Sequence, residues 1–371
     1  ILAQAVPGVT GPSSLPIPRE RTRRAVLASQ GCAGVMAWPA ASPADLAGVE
    51  WSSTGEVISV PGVFNYQSDR VRNGKMYVKR DGSGRNAGTV GTEWAPKEVR
   101  VGNGRRETTS LDVEGFVLHK SPTCLRRESC YQEAPVLDEY YPECQELVRK
   151  FTGADSVIAF DHNLRRAGDD SSQSIVVGGL HVQTPATVVH GDYTLKSGPA
   201  RLEELGQALR LNDAMRHKVV LSGKPLVTSE TLERARRGRF AIVNVWRSIR
   251  EEPVKASPLA CCDAATVAPD DLCVFEIHYP DRVGETYLAV HSDRHRWLYF
   301  PHMTKDEVII MKQWDSAGTL VGGDRASLAL HSAFNDPTSE GELDRESIEV
   351  RCICIFDAAV GCDLQVSSSK L

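Results

Sequence analysis

A histidine and an aspartate stand two residues apart in His190-Gly-Asp192. On an extended strand, residues i and i+2 project from one face, so this pair can offer an imidazole nitrogen and a carboxylate oxygen to a single point. A third ligand must then come from a distant strand. His331 closes the apolar run Ser327-Leu-Ala-Leu330 and so also sits at a strand end. Two imidazoles and one carboxylate on one face of an octahedron leave three positions open. That arrangement suits Fe(II) that takes a chelating co-substrate and O2 together. Zinc is the alternative metal, although its catalytic sites keep only one position open.

Arg345 lies fourteen residues beyond His331, across the turn Asn335-Asp-Pro-Thr338. The chain can reverse there, and a guanidinium returning on the neighbouring strand could grip the distal carboxylate of 2-oxoglutarate in a two-pronged pair. Arg351, an even number of residues further on, shares its face on an unbroken strand and is the competing candidate; a plain ion pair of Arg345 with Asp344 or Glu346 is the bland reading. Asp161-His162 is the rival metal pair, but adjacent strand residues face opposite ways and chelate poorly. His162 is instead expected to orient a neighbour or to lie near the substrate. Tyr193, Trp246 and Ile353 are candidates for the pocket wall, because such sites are mostly apolar with a few placed polar groups. His291, His295 and His302 read as packing or rim residues, Trp297 and Tyr299 as core, and the arginines between 234 and 239 as a solvated helix end.

The elements that must hold these residues alternate like strands. Runs at 186–190, 239–246, 272–277, 286–290, 297–300, 308–311, 326–331 and 347–356 are apolar or alternating and separated by turn residues. A helix is expected over 138–152, stopped by Gly153, and another from Ser229 to Arg237 with Ser229 as its N-cap. Many strands with a few short helices imply a mainly β protein with flanking helices: a double-stranded β-helix, or cupin-like jelly roll. The expected organisation is an N-terminal arm and irregular extension over 1–110, a jelly-roll catalytic domain over 111–360 and a C-terminal tail over 361–371. Within the extension, residues 51–110 read as loops with a few edge strands.

Composition sets the outer limits. The chain has 371 residues, 41% hydrophobic and 25% charged, enough to bury a full core. Its net charge of −5 argues against nucleic acid as a partner, and no apolar run reaches the roughly 20 residues needed to span a bilayer. The ten cysteines lack metal-finger spacing and read as reduced, buried thiols in a cytoplasmic protein. The partners expected are a small-molecule substrate and O2, with a homodimer left open.

From about 111 to 357 the chain resembles the hydroxylase/desaturase enzymes of fungal and bacterial natural-product pathways. The residues that carry the resemblance are Phe160-Asp-His162 with Arg165, Val189-His-Gly-Asp-Tyr-Thr194, Asn244-Val-Trp-Arg247, Ser257-Pro-Leu-Ala260 and Cys262-Asp-Ala264. They continue with Arg282-Val-Gly-Glu-Thr-Tyr287, His295-Arg-Trp-Leu-Tyr-Phe-Pro301, Met303-Thr304, His331-Ser-Ala-Phe334 and Arg345-Glu-Ser-Ile-Glu-Val-Arg351. Leu298 and Trp314 depart from the residues expected at those positions. The resemblance implies a double-stranded β-helix, Fe(II) on His190, Asp192 and His331, 2-oxoglutarate as co-substrate, and hydroxylation, desaturation or oxidative cyclisation of a small secondary metabolite. Two other classes are carried beside it: a non-catalytic partner subunit of a biosynthetic oxygenase, and a metal-dependent hydrolase or isomerase on the same barrel.

Overall fold

The computed structural model describes residues 48–78, 86–166, 182–210, 213–339 and 343–357. The expected N-terminal arm through residue 47, the tail after Gly361, and Cys32 and Cys362 lie outside them. Two sheets carry the fold. One has five strands in the order Phe116–Lys120, Glu307–Asp315, Arg239–Ser248, Glu346–Phe356 and Ser156–Arg166, all antiparallel. The other has eleven, with Trp297–Tyr299, Leu259–Cys262, His331–Ala333, His190–Gly191 and Val283–Ala289 in consecutive central places.

Alternation along the strands divides the five-stranded sheet into two faces. Val243, Val245, Ile348, Val350, Cys352 and Cys354 point outward, where they pack with Tyr140, Tyr141, Cys144, Leu147 and Val148. The last four of these lie on the helix Tyr141–Thr152, which follows one π turn, Val136–Tyr140, and ends on Gly153 in the left-handed conformation. The helix therefore exists where its periodicity placed it, with a π turn as its first part. The opposite face looks at the large sheet. Trp246, Ile309 and Met311 meet Leu259, Cys261 and Leu298 there in one buried cluster. Phe160, Ile242, Ile353 and Ile355 form a second, closed by Leu202 and Leu205 of the helix Ser197–Leu205. Two sheets face to face with apolar contacts between them form the jelly roll that the alternating pattern implied.

The chain preceding residue 111 is more regular than an irregular extension. Val57–Gln67 pairs with Trp94–Asn103, which pairs in turn with Trp297–Tyr299; Lys75–Val78 and Asn86–Val90 close the sheet's other end. They lie towards the two ends of the sheet, and short alternating runs between glycines are all the sequence reveals of them. Conversely, two expected strands shorten. Only His190–Gly191 and His331–Ala333 form ladders, while 186–189 and 326–330 run extended beside them. Among the described residues the eight cysteines are all free and seven are buried, and no helix is long and apolar enough to cross a membrane.

The cap of the Ser229–Arg237 helix sits one residue earlier than the sequence suggested. Thr228 is extended, and its Oγ1 accepts from the Thr231 backbone N–H at 3.2 Å. Thr228→Ala should cost about 1 kcal/mol, against less than about 0.5 kcal/mol for Ser229→Ala. Paired urea denaturation curves read the difference, and equal midpoints for the two variants would return the cap to Ser229.

Candidate metal centre

His190 and His331 are directly paired across neighbouring strands, with ring centroids 4.2 Å apart. Asp192 lies just beyond the His190 strand, where its backbone N–H donates to Gln313 Oε1 on the opposite sheet at 3.0 Å. One donor atom from each of His190, Asp192 and His331 lies within 4.8 Å of the others, the single such trio of ligand residues found among the described residues. These are the three residues that the sequence grouped as a candidate centre.

The imidazoles are prepared as ligands. His190 Nδ1 is 2.8 Å from Val188 O, and His331 Nδ1 is 3.2 Å from Ala329 O. A carbonyl can only accept, so each Nδ1 carries the proton and each Nε2 lone pair is left for a metal. Burial pushes both rings towards the neutral form, and the nearby His331 adds to this at His190, which is pushed down to about 4. Asp192 is the reverse case. Burial alone would raise it, but the Arg351 guanidinium, with the Asn244 hydrogen bond, holds the carboxyl below its ordinary range.

The partners of Asp192 come from three adjacent strands in register, with Asn244 and Asp161 flanking Arg351. Arg351 Nε donates to Asp192 Oδ2 at 3.1 Å, and its Nη1 donates to Asp161 Oδ2 at 2.9 Å. Asn244 Nδ2 donates to Asp192 Oδ2 at 2.9 Å and also to Glu349 Oε1. Glu349 is buried, and burial, with Asp192 close by, raises its carboxyl above the usual range. None of Asn244, Gln313 and Glu349 was singled out as part of the site from the sequence, and Asp161 entered only as half of the rival metal pair. The available signal was a polar residue inside an apolar strand, as in Ile242-Val-Asn-Val-Trp246 and Ile348-Glu-Val350.

Arg345 stands at the entry to Glu346–Phe356, which belongs to the five-stranded sheet. It therefore returns on the other sheet, and not on the strand neighbouring His331 as expected. The side chain is 2% exposed, yet among the described residues no carboxylate lies within ion-pair distance of it. Glu346, the suggested bland partner, is taken by Arg127, Arg250 and Tyr131. Arg345 Nη1 donates to Ser257 O at 2.7 Å, its Nε has no partner, and its guanidinium carbon is 5.4 Å from the centre of the Trp246 ring. Ser257 has φ 48° although it is not glycine and precedes proline, so backbone strain is spent in turning its carbonyl towards Arg345. Burial lowers the guanidinium to about 9, with repulsion from Arg165 adding to the effect. A guanidinium stays protonated near neutral pH, so the depression measures an uncompensated buried charge. Arg165 is a second such group, with Nη1 donating to Thr184 O at 2.8 Å.

The pocket candidates separate. Tyr193 adjoins Asp192 and packs with the cluster that contains Ile353. Trp246 pairs in register with Glu349 and lies on the Arg345 side. Trp246 and Ile353 therefore bracket the level at which Arg351 and Asn244 hold Asp192. His162 is a correction. It pairs with Val350 on the outer face of the sheet, and its Nδ1 is 2.9 Å from the Tyr141 hydroxyl on the covering helix, so it is a core histidine turned away from the site. His295 is likewise buried in packing, between Tyr66 and Asp271.

Comparison with known proteins bears on the family and the fold. The family described as "Oxidoreductase/YMDC permease-like domain" matches residues 64–355. The Fe(II)/2-oxoglutarate-dependent dioxygenase nvfI of Aspergillus novofumigatus is 32% identical over 268 residues, covering 70% of this chain and 84% of its own. The hydroxylase/desaturase efuI of Hormonema carpetanum is 32% identical over 265 residues, covering 67% of this chain and 79% of its own. Among solved structures, the iron and alpha-ketoglutarate-dependent endoperoxidase NvfI aligns with a TM-score of 0.62 at 23% identity, over 81% of this chain and 99% of that one, a likeness of fold.

An unpaired buried charge is a cost that an apolar side chain of similar length removes. Arg345→Met should stabilise the ligand-free, metal-free protein by about 1–4 kcal/mol, read as a raised Tm in thermal denaturation. A lowered Tm would mean that the contacts with Ser257 and Trp246 already compensate the charge.

Proposed function

Because this chain belongs to the hydroxylase/desaturase family of Fe(II)/2-oxoglutarate-dependent oxygenases, we propose that it oxidises a C–H bond of a small secondary metabolite, with Fe(II) on His190, Asp192 and His331 and the distal carboxylate of 2-oxoglutarate on Arg345. The observation that carries this reading is the pairing of a three-donor centre with a buried guanidinium that lacks an anion. The donor set fits Fe(II): two neutral imidazoles with Nε2 free, and one ionised carboxylate. When bound, Fe(II) with 2-oxoglutarate supplies the O2-derived oxidising power.

The chain's own residues do the rest. Val188 O and Ala329 O orient the ligand rings. Arg345 offers a planar fork already stripped of water, so an arriving carboxylate meets charge-assisted donors at little cost in reorganisation. Arg351, the competing candidate, already has its guanidinium between Asp192 and Asp161, which favours Arg345 for the incoming anion. Tyr193 and Ile353 supply apolar wall beside Asp192, where placement of a substrate carbon decides among hydroxylation, desaturation and ring closure.

Alanine at His190, Asp192 or His331 should each abolish Fe(II) binding, measured as metal content after anaerobic loading, with circular dichroism unchanged. Near-normal iron in any of the three removes that residue from the centre. Arg345→Lys should weaken 2-oxoglutarate binding and Arg345→Ala should weaken it by about tenfold or more, from charge-assisted bonds worth roughly 1.5–3 kcal/mol each. Iron affinity should stay unchanged in both variants. If co-substrate binding survives in Arg345→Ala and fails in Arg351→Ala, the clamp is Arg351.

A further inference from the structure

The two oxygens of Asp192 have different surroundings. Oδ1 faces His190 Nε2 at 3.9 Å, on the side where the three donors converge. Oδ2 accepts two hydrogen bonds, from Arg351 Nε at 3.1 Å and from Asn244 Nδ2 at 2.9 Å. A carboxylate oxygen has two lone-pair directions, so both of those on Oδ2 are occupied before any metal arrives. Resting on the metal-centre reading above, we infer that Arg351 and Asn244 are positioning residues that restrict Asp192 to one-oxygen coordination, keeping three positions of the metal open.

The donors are themselves fixed from behind. Arg351 cannot swing away without leaving Asp161, to which its Nη1 donates at 2.9 Å. Asn244 is tied to Glu349 through the same amide nitrogen that serves Asp192. The chain Asp161–Arg351–Asp192 thus runs across two antiparallel strands to the metal ligand, and its geometry follows from register: Arg351 faces Asp161 on one side and Asn244 on the other. The count of open positions matters because a chelating co-substrate takes two and O2 needs the third. A chelating Asp192 would close one of them.

The test reads the carboxylate directly. Full-length protein labelled with 4-13C-aspartate is studied by infrared difference spectroscopy, Fe(II)-loaded minus metal-free, under anaerobic conditions. The separation between the antisymmetric and symmetric carboxylate stretches is wide for one-oxygen coordination and narrow for chelation. Wild type should give the wide separation. Arg351→Met and Asn244→Ala should each narrow it, and Arg351→Lys, which keeps a charged donor, should restore it at least in part. A narrow separation in wild type overturns the inference, as does a wide one in both Arg351→Met and Asn244→Ala. Because the wild-type spectrum alone can overturn it, a variant that fails to fold does not shield it. Absence of bound metal in wild type would sink the metal-centre reading as well, which separates that failure from this one.

Discussion

Charged side chains enclosed between two sheets are the constraint on which the rest of this structure depends. Taking a guanidinium or carboxylate out of water costs several kcal/mol unless a partner offsets it. The five-stranded sheet turns Arg345, Glu349 and Arg351 of one strand inward, with Asp161 and Arg165 beside them on the next. Some of that charge is compensated internally, as in the contacts of Arg351 with Asp161 and Asp192. Some is not: Arg165 and Arg345 each hold one backbone carbonyl and, among the described residues, no carboxylate at ion-pair distance. A packed apolar shell on both sides keeps water from diluting the imbalance. On the proposed reading, these two guanidiniums face the candidate metal centre and would take an anion as partner.

The jelly roll puts the candidate ligands His190 and His331 on one sheet and the proposed clamp at the start of a strand of the other. His190 and His331 need adjacent strands to bring their rings together. Arg345 and Arg351 belong to the facing sheet, where the proposed function would set an anion between cation and metal. Helix Tyr141–Thr152 backs the arginine-bearing sheet and takes no part in the chemistry; its contact with His162 is packing. Gln313 ties the two sheets together at Asp192 itself.

The sequence disclosed the parts that rest on short-range geometry. The i, i+2 spacing of His190 and Asp192, the strand-end setting of His331 and the even separation of Arg345 from Arg351 all translate into shared faces. It did not disclose which sheet receives a strand, because a fourteen-residue connection can end beside its start or across from it. That is why Arg345 appeared on the facing sheet and not next to His331. The supporting network was legible only as an oddity, a lone Asn244 or Glu349 in an apolar strand. Its partners depend on register between distant strands, with Arg351 facing Asn244 and Asp161 at separations of 107 and 190 residues, which periodicity within one strand does not encode. The edge strands between 50 and 103 were underread for a related reason: their pairing comes from the sheet they join, while their own residues carry many glycines and charges.

On the proposed reading, a divalent cation entering alone adds to the excess of positive charge, and a dicarboxylate entering with it offsets the charge added. The two should therefore bind with positive coupling, and the coupling must be reciprocal. The direct measurement is anaerobic titration of Fe(II) into the wild-type protein, with and without saturating 2-oxoglutarate, following bound iron and the weak visible charge-transfer band of the chelate. The account predicts that 2-oxoglutarate tightens Fe(II) binding by about 5-fold to 150-fold and that the band appears only when both are present. Fe(II) affinity that is unchanged by 2-oxoglutarate, with no band at saturation of both, would contradict it.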